Sequence, residues 1–216
     1  FMSSISIDIK PKKHYEILDG LRGVAAVLVV IFHIFEAFNE GSRFKQLMNH
    51  GYLAVDFFFL LSGFVVAYAY DDRWNRMSTV TFFKRRIIRL HPMVIVGSIV
   101  GAVFFFFQES PCFPPIQNTT VGTMLLVMLL GCTLLPLPLK WDIRGWAEMH
   151  PLNAPAWSLY FEYIGNILYA LFVRRFSKTA LTVLVLIAGC FTVHYCLTAP
   201  TGDIVGGWSS KDRKST

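Results

Sequence analysis

Apolar residues in this chain come in six long runs, separated by short stretches where the charges are crowded. The runs cover 17–38, 51–70, 91–107, 121–139, 156–173 and 179–199. Each is close to the ~20 residues that a helix needs to cross roughly 30 Å of hydrocarbon. Backbone inside a bilayer finds no water to bond with, so each run is predicted to be a helix that satisfies its own amides and carbonyls. The pattern predicts an all-α fold, a polytopic transmembrane helical bundle with about six spanning segments. Residues 1–16 read as a cytoplasmic N-terminal segment, 17–199 as the transmembrane domain and 200–216 as a polar tail. The run at 121–139 ends in Leu135-Pro136-Leu137-Pro138-Leu139. Proline cannot continue a helix, so this segment is expected to cross only in part.

Orientation follows from lysine and arginine. Residues 1–16 hold three and 71–91 hold six, whereas 39–50 hold two and 108–120 none. Basic residues favour the cytoplasmic side, which places the N-terminus and the 71–91 stretch there. If all six runs cross, Arg174, Arg175 and Lys178 fall on the opposite side, against that rule.

Composition narrows the class. The chain is 54% hydrophobic and 16% charged, with mean hydropathy +0.50, against roughly 25% charged for an ordinary soluble domain. A soluble core of this make-up lacks the polar surface to cover itself. The net charge of +6 sits in a few loops, which points to topology and anionic lipid and not to nucleic acid. Cys112, Cys132, Cys190 and Cys196 show no metal-ligand spacing and no disulfide framework. The N-terminus lacks the pattern of a cleavable signal peptide, and no internal repeat is visible.

Ionisable groups inside spans are costly and are candidates for function. The first run holds Asp19, Arg22, His33 and Glu36. Arg22 and His33 are eleven residues apart, almost three helical turns, so they share a face about 16 Å apart along the axis. Gly23, Ala25 and Ala26 beside them permit close helix approach; the alternative is a histidine bonded to a neighbouring helix. The second run offers Asp56 and, seven residues on, Gly63, where Ser62-Gly63 allows a tight crossing. The plainer reading of Asp56 is a charge at a helix N-terminus. Before the third run, Arg86 and Arg89 are spaced to point the same way and suit phosphate; equally, they suit a juxtamembrane anchor on lipid. The fifth run opens after Pro155 and places Ser158, Glu162, Asn166 and Tyr169 at helical spacing. Glu162 needs a partner there, with His33 or Arg22 the expected one, and helix–helix adhesion is the alternative role.

Four blocks together resemble the acyltransferase type 3 family of membrane proteins. They are Leu18-Asp19-Gly20-Leu21-Arg22-Gly23-Val24-Ala25-Ala26 with His33; Gly51 to Phe64 around Asp56 and Ser62-Gly63; Phe83-Lys84-Arg85-Arg86-Ile87-Ile88-Arg89-Leu90 with His91-Pro92; and Asn153-Ala154-Pro155-Ala156-Trp157-Ser158-Leu159 with Glu162. The resemblance covers residues 17 to about 175. It puts the family's basic-x10-His pattern on Arg22 and His33 and its Arg-x-x-Arg pattern on Arg86 and Arg89. Members of the family have about ten spans, more than this chain holds.

The resemblance implies transfer of an acyl group, acetyl above all, from cytoplasmic acyl-CoA to a hydroxyl of a carbohydrate or glycolipid. No cofactor is expected to be permanently bound; acyl-CoA is the donor substrate. The partners it implies are the lipid bilayer, acyl-CoA and the acceptor, in a bacterial inner membrane. His33 is then the catalytic base, imidazole being the side chain matched to proton transfer near neutral pH. Glu162 or Asp56 orients it. Arg86 and Arg89 hold the donor's phosphates, Arg22 extends that charge inward, and Asp19, Asn153, Trp157 and Ser158 complete the substrate contacts. The rival reading is a transporter or flippase of an anionic glycan or lipid, against which the lack of repeats and of broken paired helices argues. A third is a non-catalytic remnant that assembles with a full-length partner.

Overall fold

The computed structural model describes residues 15–38, 50–51, 53–108, 118–145 and 148–198. The polar tail, Cys112, nearly all of the N-terminal segment, and the side chains of Glu36 and Cys196 lie outside the described residues. Each of the six apolar runs holds an α-helix, the run at 121–139 only as far as Gly131, and no strand occurs among the described residues. The helices are α1 (Glu16–Phe38), α2 (Leu53–Tyr70), α3 (Thr79–Phe107), α4 (Val121–Gly131), α5 (Ala156–Leu171) and α6 (Lys178–Thr198). By length and composition α1, α2, α3 and α6 are each able to cross a membrane. At 11 and 16 residues, α4 and α5 reach only about 16 and 24 Å.

The basic stretch expected as a loop before the third run is instead the first turns of α3. Ser78 caps that helix, its hydroxyl accepting from the Thr81 amide at 3.2 Å, and no breaker follows until Pro92, which the helix carries inside itself. Lysine and arginine are good helix formers, so charge alone does not end a span.

The chain falls into two compact units, residues 1–75 and 76–216. In the first, α1 and α2 run antiparallel. Tyr15 packs edge-on against Tyr68 at 5.4 Å. At the other end Gly51 lies so near Phe32 that a Cβ there would stand 2.5 Å from the Phe32 Cβ.

In the second unit α3 is the spine. Met124 and Val127 of α4 pack on Phe105 and Ala102 of α3, and Gly131 approaches Ser98. Ala156 of α5 packs on Val94, Glu162 meets Arg86, and Tyr169 lies against Phe82 at 5.9 Å. Both helices therefore run antiparallel to α3, α4 along its C-terminal half and α5 along its N-terminal half. Together they line α3 from Phe82 to Phe105, about 35 Å at 1.5 Å per residue, which is one membrane thickness.

Where the two halves meet, Leu134 is buried between Val94 and Ala156 with φ of 62°, a left-handed conformation that costs a branched residue about 1 kcal/mol or more. The connection between the halves is non-helical at the depth of mid-α3, which a membrane tolerates only where protein covers it. Here Leu137, Ile143 and Leu152 join the α3–α4 core. The turn at 150–153 seats on Gly97 and Gly101. A Cβ on Gly97 would stand 2.6 Å from Asn153 Nδ2, and one on Gly101 would collide with the Leu152 carbonyl.

This arrangement brings the C-terminal end of α5, with Arg174 and Arg175 just beyond it, to the same end of α3 as Lys84 and Arg85. Counted as one length beside α3, α4 and α5 no longer set Arg174 and Arg175 against the basic-residue rule. None of the apolar stretch of α6 is buried.

Candidate functional site

α1 is unbroken from Glu16 to Phe38, so the eleven-residue spacing of Arg22 and His33 is realised on one helix. Arg22 is half-buried, while His33 and Asp19 are exposed. The residues that α1 buries are Ala25 and Phe32, roughly 80° round the helix from the Arg22–His33 line. That line is thus a flank of α1 and not its packing face. Nothing lies within 4 Å of where a Cβ would stand on Gly23 or Gly63, so the close approaches expected at those glycines do not occur among the described residues.

Asp56 is exposed in the first turn of α2, where the helix dipole favours a negative charge. An open, apolar groove of about 490 Å³ runs between α1 and α2 past Leu21, Leu28, Ala54 and Phe57, with His50 on its lining. It lies on the α2-facing side of α1, away from His33.

The second unit holds a short, part-buried ion pair. The Arg86 Nη2 donates to Glu162 Oε1 at 2.6 Å, with Arg86 3% and Glu162 21% exposed. Within its own unit, Glu162 is partnered by Arg86. The line Phe82, Arg86, Val94 on α3 faces α5, and Arg89 turns away from it and is exposed. Spacing of three places the two arginines about 60° apart, enough for α5 to cover one and miss the other. Arg86 is thus buried against α5 while Arg89 is left exposed.

The start of α5 is built from backbone-directed bonds. Asn153 Nδ2 donates to the Val94 carbonyl at 3.4 Å, and the Ala156 amide donates to Asn153 O at 2.8 Å. The Ser158 hydroxyl donates to Pro155 O at 2.8 Å, and buried Asn166 donates to the Glu162 carbonyl at 2.8 Å. Asn153 and Ser158 therefore hold the helix entry. Trp157 is half-buried beside Phe161, ring centroids 6.1 Å apart.

Three groups escaped the sequence reading. His150 is 2% exposed and Ser98 1%; both line one small cavity at the α4–α5 junction. Among the described residues, neither ring nitrogen of His150, nor the Ser98 hydroxyl, nor that of Tyr163, has a hydrogen-bond partner. A lone histidine beside a proline, and a lone serine among glycines, carry no pattern that a sequence reader would select. Among the described residues no group of three His, Cys, Asp or Glu converges to hold a metal.

Comparison with known proteins adds identity to this geometry. The chain matches the family described as acyltransferase domain, the acyltransferase type 3 family, over residues 15–209. It is 34% identical over 184 residues to Protein 2 in the picA locus of Rhizobium radiobacter, covering 82% of this chain and 91% of that one. It is 32% identical to acyltransferase MdmB of Streptomyces mycarofaciens, over 74% of this chain and 40% of the relative. It is 28% identical to the peptidoglycan O-acetyltransferase OatA of Listeria monocytogenes, over 54% of this chain and 18% of the relative. The chain thus matches less than half the length of MdmB and of OatA. No solved structure matches it. With a family match across nearly its whole length and a helical membrane bundle to carry it, the chain belongs to the acyltransferase type 3 family of integral membrane acyltransferases.

Proposed function

We propose that this chain moves an acetyl group from cytoplasmic acetyl-CoA to a hydroxyl of a carbohydrate or glycolipid. The observation that carries the reading is the pair Arg22 and His33, held on one uninterrupted helix of a chain whose relatives are named acyltransferase and O-acetyltransferase. The acceptor oxygen attacks the thioester carbon while His33 takes its proton. The tetrahedral intermediate then collapses, the C–S bond breaks, and the proton passes from the imidazolium to the CoA thiolate. Asp56, on the helix that packs against α1, orients the imidazole. Glu162 is engaged by Arg86, so both act as framework. Exposed Arg89 binds the donor's phosphates as a charge-assisted contact, with Arg22 carrying positive charge inward. Asp19 and Trp157 remain as substrate contacts.

The membrane is a bacterial cytoplasmic one, with the N-terminus inside. The basic cluster at 174–178 supports this, since it lies at the same end of α3 as the cluster at 84–89.

One observation favours the transporter reading. The break between α4 and α5 along one length of α3 is the kind of discontinuous crossing that transporters use at the bilayer midplane. Membranes bearing the chain, given radiolabelled acetyl-CoA, separate the two. Label recovered in extracted glycan or glycolipid is the expected result; uptake or flipping of an anionic glycan without label would overturn the enzyme assignment.

A further inference from the structure

Histidine 150 sits where the α4 and α5 halves join. Its ring is 2% exposed, neither nitrogen has a hydrogen-bond partner among the described residues, and it lines a small gap with Ser98, Val127, Gly131, Leu137, Pro151, Leu152 and Asn153. None of the other residues lining that gap, from α3, α4 or the connecting segment, carries an ionisable group. The charged residues of that segment, Asp142, Arg144 and Glu148, are not among them. An imidazolium without a hydrogen-bond partner in such a place carries an uncompensated buried charge, so the ring is seated uncharged.

Its backbone is part of the same joint. The His150 carbonyl accepts from the Asn153 amide at 2.9 Å, and Asn153 in turn accepts from Ala156, the first residue of α5. We propose that His150 is a positioning residue of the acyltransferase: its uncharged ring, packed at the α4–α5 junction, holds the 150–153 turn on Gly97 and Gly101 and so fixes where α5 begins and how deep Trp157 and Ser158 sit. Acid opens the joint, because the released turn presents a histidine of ordinary basicity, pKa about 6.5, that takes up a proton.

The role of the joint in catalysis rests on the function proposed above, but its opening does not, so the test has two arms. Hydrogen–deuterium exchange of the 149–158 peptide in nanodiscs reads the opening directly. Corrected for intrinsic exchange, protection should fall about tenfold between pH 8 and pH 5.5 in the wild type. In His150→Phe, whose ring never charges, it should change less than twofold. His150→Gln, also permanently neutral, serves if the phenylalanine variant does not fold. In the second arm, kcat at pH 5.5 relative to pH 8 should be several-fold higher in the neutral variant than in the wild type, with the acyl-CoA KM unchanged. Equal acid loss of protection in wild type and variant, or none in the wild type, overturns the proposal. A positive exchange result with no transfer activity at any pH leaves the joint standing and removes the enzyme reading instead.

Discussion

The α1–α2 pair and the α3–α5 pair both carry charges into apolar helices, and they use them differently. On α1 the charged line lies off the buried face, with His33 exposed and Ala25 and Phe32 the residues buried. On α3 the arginine is the packing face: Arg86 is buried and closed by Glu162. A charge that a neighbouring helix covers and neutralises is occupied with holding that helix. On the function proposed above, motif residues divide between framework and chemistry according to which of them a neighbouring helix covers.

Substitutions can break that contrast at either end. Gly101→Val should have the largest effect, since the new side chain meets the Leu152 backbone carbonyl, which cannot rotate away; loss of the monodisperse peak in size exclusion would show it. Glu162→Ala should lower stability by about 3 kcal/mol, because it takes the carboxylate from a buried guanidinium. The double variant Arg86→Met/Glu162→Leu should recover most of that, as thermal midpoints would reveal; no recovery would mean that the pair does more than adhere. Arg89→Ala should leave the thermal midpoint in place and raise the acyl-CoA KM by about tenfold, the value of one charge-assisted contact. Gly23→Ala should do least, shifting stability by under about 1 kcal/mol and in the favourable direction, since nothing occupies the space its methyl would enter.

Hydropathy was enough to place all six helices, because backbone in lipid has no alternative to a helix. It misplaced the start of α3, where Lys84 to Arg89 read as a loop. It also suggested a break near Pro136 and Pro138 without showing that α4 and α5 share one length of α3. That sharing depends on the approach of Leu152 and Asn153 to Gly101 and Gly97, a contact fifty residues distant in sequence that no local pattern encodes. The need of Glu162 for a partner was legible from its place in an apolar run. That the partner is Arg86, and that Arg89 is left outside, was not, since helical spacing gives faces but not what covers them. His150 was invisible for the opposite reason: its burial belongs to the loop around it and not to any periodic element.

The division of labour between the two pairs stands or falls on transfer measured per folded molecule for His33→Ala. The account predicts that this variant inserts normally, keeps its thermal midpoint within a few degrees, as an exposed residue should, and loses at least a hundredfold in acetyl transfer from acetyl-CoA. Transfer at the wild-type rate from the alanine variant would contradict it.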